Sequence, residues 1–157
     1  LLKTNVKIKN EESMQSFAKI LANYITSGEV IYLVGDLGAG KTTFTRYLLQ
    51  HMGHVGRVKS PTFSIVEEYE VFGKLNVAHF DLYRVSDSDE LYHIGIGDYL
   101  TGSSVLIIEW PSNGFEILPN PTIIIDITIV SNNSRVITLS SNNSDLIKKA
   151  DDSSAFI

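Results

Sequence analysis

Hydrophobic and polar positions change period several times along the chain, and each change marks an element. "TNVKIK", residues 4–9, alternates polar and apolar and predicts a short strand. From Asn10 to Gly28 the spacing becomes helical, with Met14, Phe17, Ile20, Leu21, Tyr24 and Ile25 on one face. Asn10 is the expected N-cap, Glu11 and Glu12 suit the first turn, and Gly28 is the expected stop. "VIYLV", residues 30–34, is an unbroken apolar run that predicts a buried strand, and an amphipathic helix is expected over Thr42–Gln50. "TFSIVEEYEV" and "KLNVAHFD" read as two strands of a hairpin around "FGK". "SDSDELYHIG" predicts a short helix, and "SVLIIEW" a central strand covered on both faces. "TIIIDITIV" and "RVITLSS" read as strands around the turn "SNNS".

These elements predict a three-layer α/β domain over residues 1–141. Its sheet is expected to be parallel at the centre and antiparallel toward one side. Residues 142–157 are polar and predict a tail or a weak helix.

The junction between the "VIYLV" strand and the helix after it carries chemistry. Gly35, Gly38 and Gly40 precede Lys41 and Thr42 at the spacing G-x-x-x-x-G-K-[ST], a phosphate-binding loop. Glycines lack a Cβ and tolerate positive φ, so the backbone can wrap closely around an anion. The amides of Leu37, Gly38, Ala39, Gly40, Lys41, Thr42 and Thr43 are then expected to form an anion nest. The helix start adds unpaired N–H groups and the positive end of its dipole. Lys41 is expected to reach the β- and γ-phosphates, and the Thr42 hydroxyl to hold Mg²⁺. A glycine-rich turn matching by chance is the competing reading, but strand–loop–helix is the context the mechanism requires.

Composition narrows the class. The chain has 157 residues and 43% hydrophobic side chains, enough for one packed core. The absence of cysteine excludes disulfides, thiolate zinc sites and cysteine nucleophiles, and suits a cytoplasmic protein. No apolar run approaches the roughly 20 residues that span a bilayer, and "LLKTNVKIKNEESMQ" lacks the apolar segment of a signal peptide. The formal net charge of −5, with 13 basic and 18 acidic side chains, offers no basic stripe for nucleic acid. If RNA is the final object of the activity, another protein is expected to hold it.

Hydrolysis needs a metal held and a water oriented, and in such folds strand C-termini converge on the ligand. Asp81 ends "VAHFD" and Glu109 follows "VLII". One acid is expected to bind metal and the other to polarise water, in an order that spacing leaves open; each is otherwise a cap of the next element. Asp36, inside the loop, either rims the site or is solvated, and solvation is the simpler reading. Ser60 and Thr62 flank Pro61 in an ordinary turn or in a switch-like loop facing the γ-phosphate. His51, His54, His79 and His93 show no metal-ligand spacing, and His79 reads as structural. Tyr69, Tyr83, Tyr92 and Tyr99 read as core and rim, and Glu67, Glu68 and Glu70 as a solvated strand edge.

"GDLGAGKTTFTR", "VKSPTFSIVEEY", "HFDLYRVSDSDELYHIG" and "IIEWP" occur in this order, and together they resemble the bacterial TsaE (formerly YjeE) family. The resemblance spans roughly Val6 to Leu139. It implies a small P-loop ATPase of tRNA threonylcarbamoyladenosine (t6A) synthesis. Such a protein binds ATP, hydrolyses it weakly alone, and supports repeated turnover by TsaD and TsaB, which transfer threonylcarbamoyl to adenosine 37. By this resemblance Thr42 and Glu109 match metal-site positions, and Asp81 the second strand-end acid. Ser60, Pro61 and Thr62 match the switch-like loop, Trp110 a conspicuous aromatic, and Arg135 a basic position near the nucleotide. The chain departs from the family at Arg46-Tyr47, where Arg-Gly is common, and in "PSNGF" after "EW", where a basic residue is common.

Two other classes use the same loop. A small-molecule kinase normally closes an arginine-bearing lid, and beyond Arg57 and Arg84 no such cluster is visible. A GTPase normally carries N-K-x-D, which is absent.

Overall fold

The computed structural model describes residues 1–114 and 116–154. Phe115, the last residue of "PSNGF", and the last three residues of the C-terminal segment lie outside the described residues.

Among the described residues seven strands form one mixed sheet. They are β1 (Leu2–Ile8), β2 (Val30–Val34), β3 (Val66–Val71), β4 (Leu75–Asp81), β5 (Val105–Glu109), β6 (Ile123–Ile129) and β7 (Arg135–Ser141). The order is β1-β7-β6-β2-β5-β4-β3. The central pairs β6–β2, β2–β5 and β5–β4 are parallel, as the apolar runs demand, because a strand covered on both faces has no polar side. Antiparallel pairing occurs on both flanks rather than one: β3 with β4, and β7 with β6 and β1.

Among the described residues five α-helices cover the sheet: α1 (Glu11–Ala22), α2 (Lys41–His51), α3 (Asp89–His93), α4 (Ile96–Leu100) and α5 (Ser144–Ser153). Phe17, Leu21, Phe44, Leu48 and Leu146 from α1, α2 and α5 pack on one face against Ile31, Leu33, Ile107 and Ile125. Leu91 and Ile96 from α3 and α4 pack on the other face against Tyr32, Phe80, Leu106 and Ile108. These are the three layers expected. The period-2 alternation of the central strands therefore sorts their side chains between two cores.

Several elements differ from the sequence reading. Helix α1 is capped by Asn10, whose side chain accepts from the Ser13 amide, but it stops at Ala22 and not at Gly28. The Asn23 side chain donates to the Lys19 carbonyl there and closes the last turn. Strand β3 starts at Val66, not Thr62, because Ile65 takes φ 70° and its amide closes a turn onto Pro61. Helix α4 was not expected as a separate element. The C-terminal segment holds a helix capped by Asn143, with Leu146 and Ala150 buried.

Candidate functional site

The period-2 pattern of β4 and β5 delivers the acids. On β4, Val77, His79 and Asp81 face α2, while Ala78 and Phe80 face the opposite core. On β5, Val105, Ile107 and Glu109 take the same face. The parallel register sets Asp81 opposite Glu109. Both carboxylates are therefore at the strand C-termini, beside the first turn of α2, and both are buried.

The loop between β2 and α2 is built on left-handed backbone at Gly38 (φ 80°) and Gly40 (φ 107°). Gly40 is the N-cap of α2 and has no side chain to cap it. The first amide of the helix to find a carbonyl is that of Phe44, which donates to Gly40 at 2.8 Å. The amides of Lys41, Thr42 and Thr43 precede it, and helix geometry leaves them without an intrahelical acceptor. Leu37 to Thr43 line a cavity of about 380 Å³ with Ser60, Thr62, Asp81, Tyr83, Glu109 and Trp110. Of the residues the sequence singles out as a site, all but Arg135 line this cavity.

Inside it the side chains are already linked. The Thr42 hydroxyl donates to Glu109 Oε1 at 3.2 Å. Thr62 donates to Asp81 Oδ2 at 3.2 Å and pairs with the Ser60 hydroxyl at 2.8 Å. The turn that delays β3 is what carries Thr62 to Asp81. The Lys41 ammonium donates to the carbonyls of Gly35 and Asp36 and sits 4.4 Å from the centroid of the Trp110 ring. Burial pushes its pKa below the usual lysine range, and the charges of Glu109, Asp81 and Asp36 oppose that shift. Trp110 itself takes φ 55°, outside ordinary backbone for a bulky residue, and its ring lies 5.1 Å from that of Tyr83 at a tilt of 48°.

His79 stands differently from its sequence reading. His79 is fully buried, yet its Nε2 lies 2.9 Å from Glu109 Oε1, so it touches the candidate site rather than only filling the core. The signal was its position two residues before Asp81, which puts both on one strand face. Arg135, at the start of β7, donates to the carbonyls of Ala39 (2.9 Å) and Gly38 (3.2 Å), and through Nη1 to those of Ser131 and Ser134. It braces the loop from its outer side, in a second recess shared with Lys9, Asn10, Glu11 and Thr43. Tyr47, where the family commonly has glycine, donates its hydroxyl to Glu11, to which Arg46 also ion-pairs at 3.6 Å. That departure ties α2 to α1 and lies outside the cavity lining.

The family model "Threonylcarbamoyl adenosine biosynthesis protein TsaE" matches residues 8–137. The chain belongs to the TsaE family. A curated "tRNA threonylcarbamoyladenosine biosynthesis protein TsaE" from Haemophilus influenzae is 50% identical over 114 residues, 72% of each chain. The TsaE of Bacillus subtilis is 39% identical over 129 residues, covering 82% of this chain and 80% of that one. Among solved structures, the crystal structure of B. subtilis YdiB superposes with a TM-score of 0.74 at 29% identity, covering 99% of this chain and 95% of that one. This TsaE-family chain is thus a member of a group of t6A biosynthesis proteins, with a mixed α/β fold shared by YdiB. No helix among the described residues is long and apolar enough to cross a membrane.

Proposed function

We propose that this chain binds ATP with Mg²⁺ in the cavity between the glycine loop and the two strand-end acids, and hydrolyses it weakly alone. In the cytoplasm that hydrolysis would support threonylcarbamoyl transfer to adenosine 37 by TsaD and TsaB, which hold the tRNA. The observation that carries the reading is the shared cavity: amides without helical acceptors, the Thr42 hydroxyl, Glu109 and Asp81 all line one space.

The residues fit the nucleotide and the ion. A loop with two left-handed glycines and an uncapped eleven-residue helix supplies donors suited to polyphosphate. No group of three or more His, Asp or Glu among the described residues forms a metal cage. Mg²⁺ in nucleotide sites needs none, since phosphates and waters fill most of its shell and the protein adds one or two ligands. Bound Mg²⁺–ATP would supply the phosphoanhydride and the charge neutralisation of its cleavage.

This chain's own groups do the rest. Lys41 would exchange the Gly35 and Asp36 carbonyls for phosphate oxygens, Thr42 would give its oxygen to the ion, and Glu109 and Asp81 would hold metal-bound water or orient the attacking one. Thr62, tied to Asp81, would close the Ser60–Thr62 turn over the site. Arg135 would act indirectly, by fixing the loop.

The test is to follow nucleotide affinity and phosphate release with ATP and Mg²⁺, with and without the TsaB–TsaD pair. Release that rises with the pair is expected; phosphorylation of an added small acceptor would point to a kinase instead. Lys41→Ala should weaken nucleotide binding by about 1.5–3 kcal/mol, roughly 10- to 150-fold, because it removes a charge-assisted contact. Glu109→Ala should lower hydrolysis more than binding. Normal affinity and turnover in the lysine variant would refute the assignment.

A further inference from the structure

His79 is a fully buried imidazole whose one side-chain hydrogen bond among the described residues goes to the acid of the site. Its Nδ1 is buried and meets no hydrogen-bond partner there. Glu109 Oε1 accepts from two directions, His79 Nε2 at 2.9 Å and Thr42 Oγ1 at 3.2 Å. We propose that His79 is a positioning residue: with its proton on Nε2, it pins Oε1 of Glu109 and keeps that carboxylate turned toward Thr42 and away from Lys41. This rests on the nucleotide reading above.

The tautomer follows from the surroundings. A proton on Nδ1 would be a buried N–H without an acceptor, which native structures rarely tolerate. A proton on Nε2 leaves only a lone pair unmatched and supplies the donor that a buried carboxylate needs. The second hydrogen bond to the same Oε1 comes from Thr42. A hydroxyl that gives its lone pair to a cation still has its proton to donate, so the Thr42–Glu109 bond and metal binding are compatible.

Why a second donor is needed is a matter of charge. Glu109 exerts the largest of the three carboxylate effects on the Lys41 ammonium, ahead of Asp81 and Asp36. A side chain released from His79 has a ready alternative, a direct pair with Lys41. That pair would withdraw the lysine from phosphate and the carboxylate from the ion together. The imidazole is rigid, held on a strand between β3 and β5 in register with Glu67 and Ile107, so it fixes Oε1 with little freedom. Outer partners of this kind commonly alter metal affinity or activity about 10–100-fold when removed.

Two variants separate the hydrogen bond from the shape. Glutamine can put an amide N–H near the place of Nε2; leucine fills the space without a donor. ATP affinity would be measured with Mg²⁺ and with EDTA, alongside turnover. His79→Leu should raise the Mg²⁺ needed for half-saturation and lower turnover, each by at least about tenfold, and leave affinity in EDTA nearly unchanged. His79→Gln should restore both to near the wild-type values. Equal behaviour of the two variants, whether both normal or both impaired, would overturn the proposal. A wild-type chain without Mg²⁺-dependent ATP binding would instead bring down the nucleotide reading itself. If the leucine variant does not fold, the imidazole ¹⁵N shifts of the wild-type chain decide: a protonated Nε2 is expected, and a bare Nε2 with the proton on Nδ1 overturns the proposal.

Discussion

Gly35 shows how much one residue of the loop carries. It takes φ 152°, and a Cβ built there would stand 2.7 Å from the Ile127 carbonyl oxygen and 3.0 Å from the Ala39 Cβ. At Gly38 (φ 80°) an added Cβ meets nothing within 4 Å, so its demand is conformational alone. Gly35→Ala should therefore destabilise by about 1–3 kcal/mol from overpacking alone. For a chain of this length each kcal/mol lowers Tm by roughly 2–4 °C, which a thermal melt would read. A melt unchanged by Gly35→Ala would mean that β6 gives way to the methyl. At this scale the loop glycines, Lys41, Thr42 and the strand-end acids were legible, because a local spacing carries them. The contacts that His79 and Arg135 make were not, although strand alternation put His79 on the face of Asp81 and the family resemblance had picked out Arg135. Their partners lie 30 and 96–97 residues away in the chain, and no local pattern records such contacts.

Helix α5 is the element whose sequence says least. It holds two buried side chains, Leu146 and Ala150, among polar neighbours, too few for a periodic signal. Tertiary contact supplies what propensity does not. Asn143 caps it through the amides of Asp145 and Leu146, and Asp151 accepts from Thr4 on β1 at 2.8 Å. Leu146→Ala should cost about 2–5 kcal/mol, the range for emptying a leucine site in a packed core. Urea unfolding should show the loss in the transition of the whole domain. A variant with the wild-type midpoint would make α5 an appendage. The hairpin of β3 and β4 was legible at its turn, where Phe72 (φ 49°) and Gly73 (φ 76°) both take the positive φ of a type I′ connection. It was misread at its start, since "TFSI" has strand composition but must bend to bring Thr62 to Asp81. The local preference yields there to the candidate site.

Across the whole molecule, the sheet gathers the chemistry at the C-terminal ends of its inner parallel strands, and the chain carries net negative charge. A net charge of −5 opposes the phosphate backbone of tRNA, so the isolated chain should bind tRNA weakly at physiological salt. Fluorescence anisotropy of labelled tRNA checks this; tight, salt-sensitive binding would mean that the chain holds RNA by itself. The central parallel order and the three layers were legible because apolar runs and loop spacing encode them. On the second antiparallel flank the β6–β7 hairpin is local and was legible around its turn, whereas β1 joins β7 by a long-range pairing that no local pattern records. One feature joins these scales. Trp110 is the chain's single tryptophan, and it lies against the ammonium that must move if phosphate enters. Excitation chosen for that one indole would therefore carry its own gauge of that movement, so that any filling of the site would be followed in real time without a dye attached.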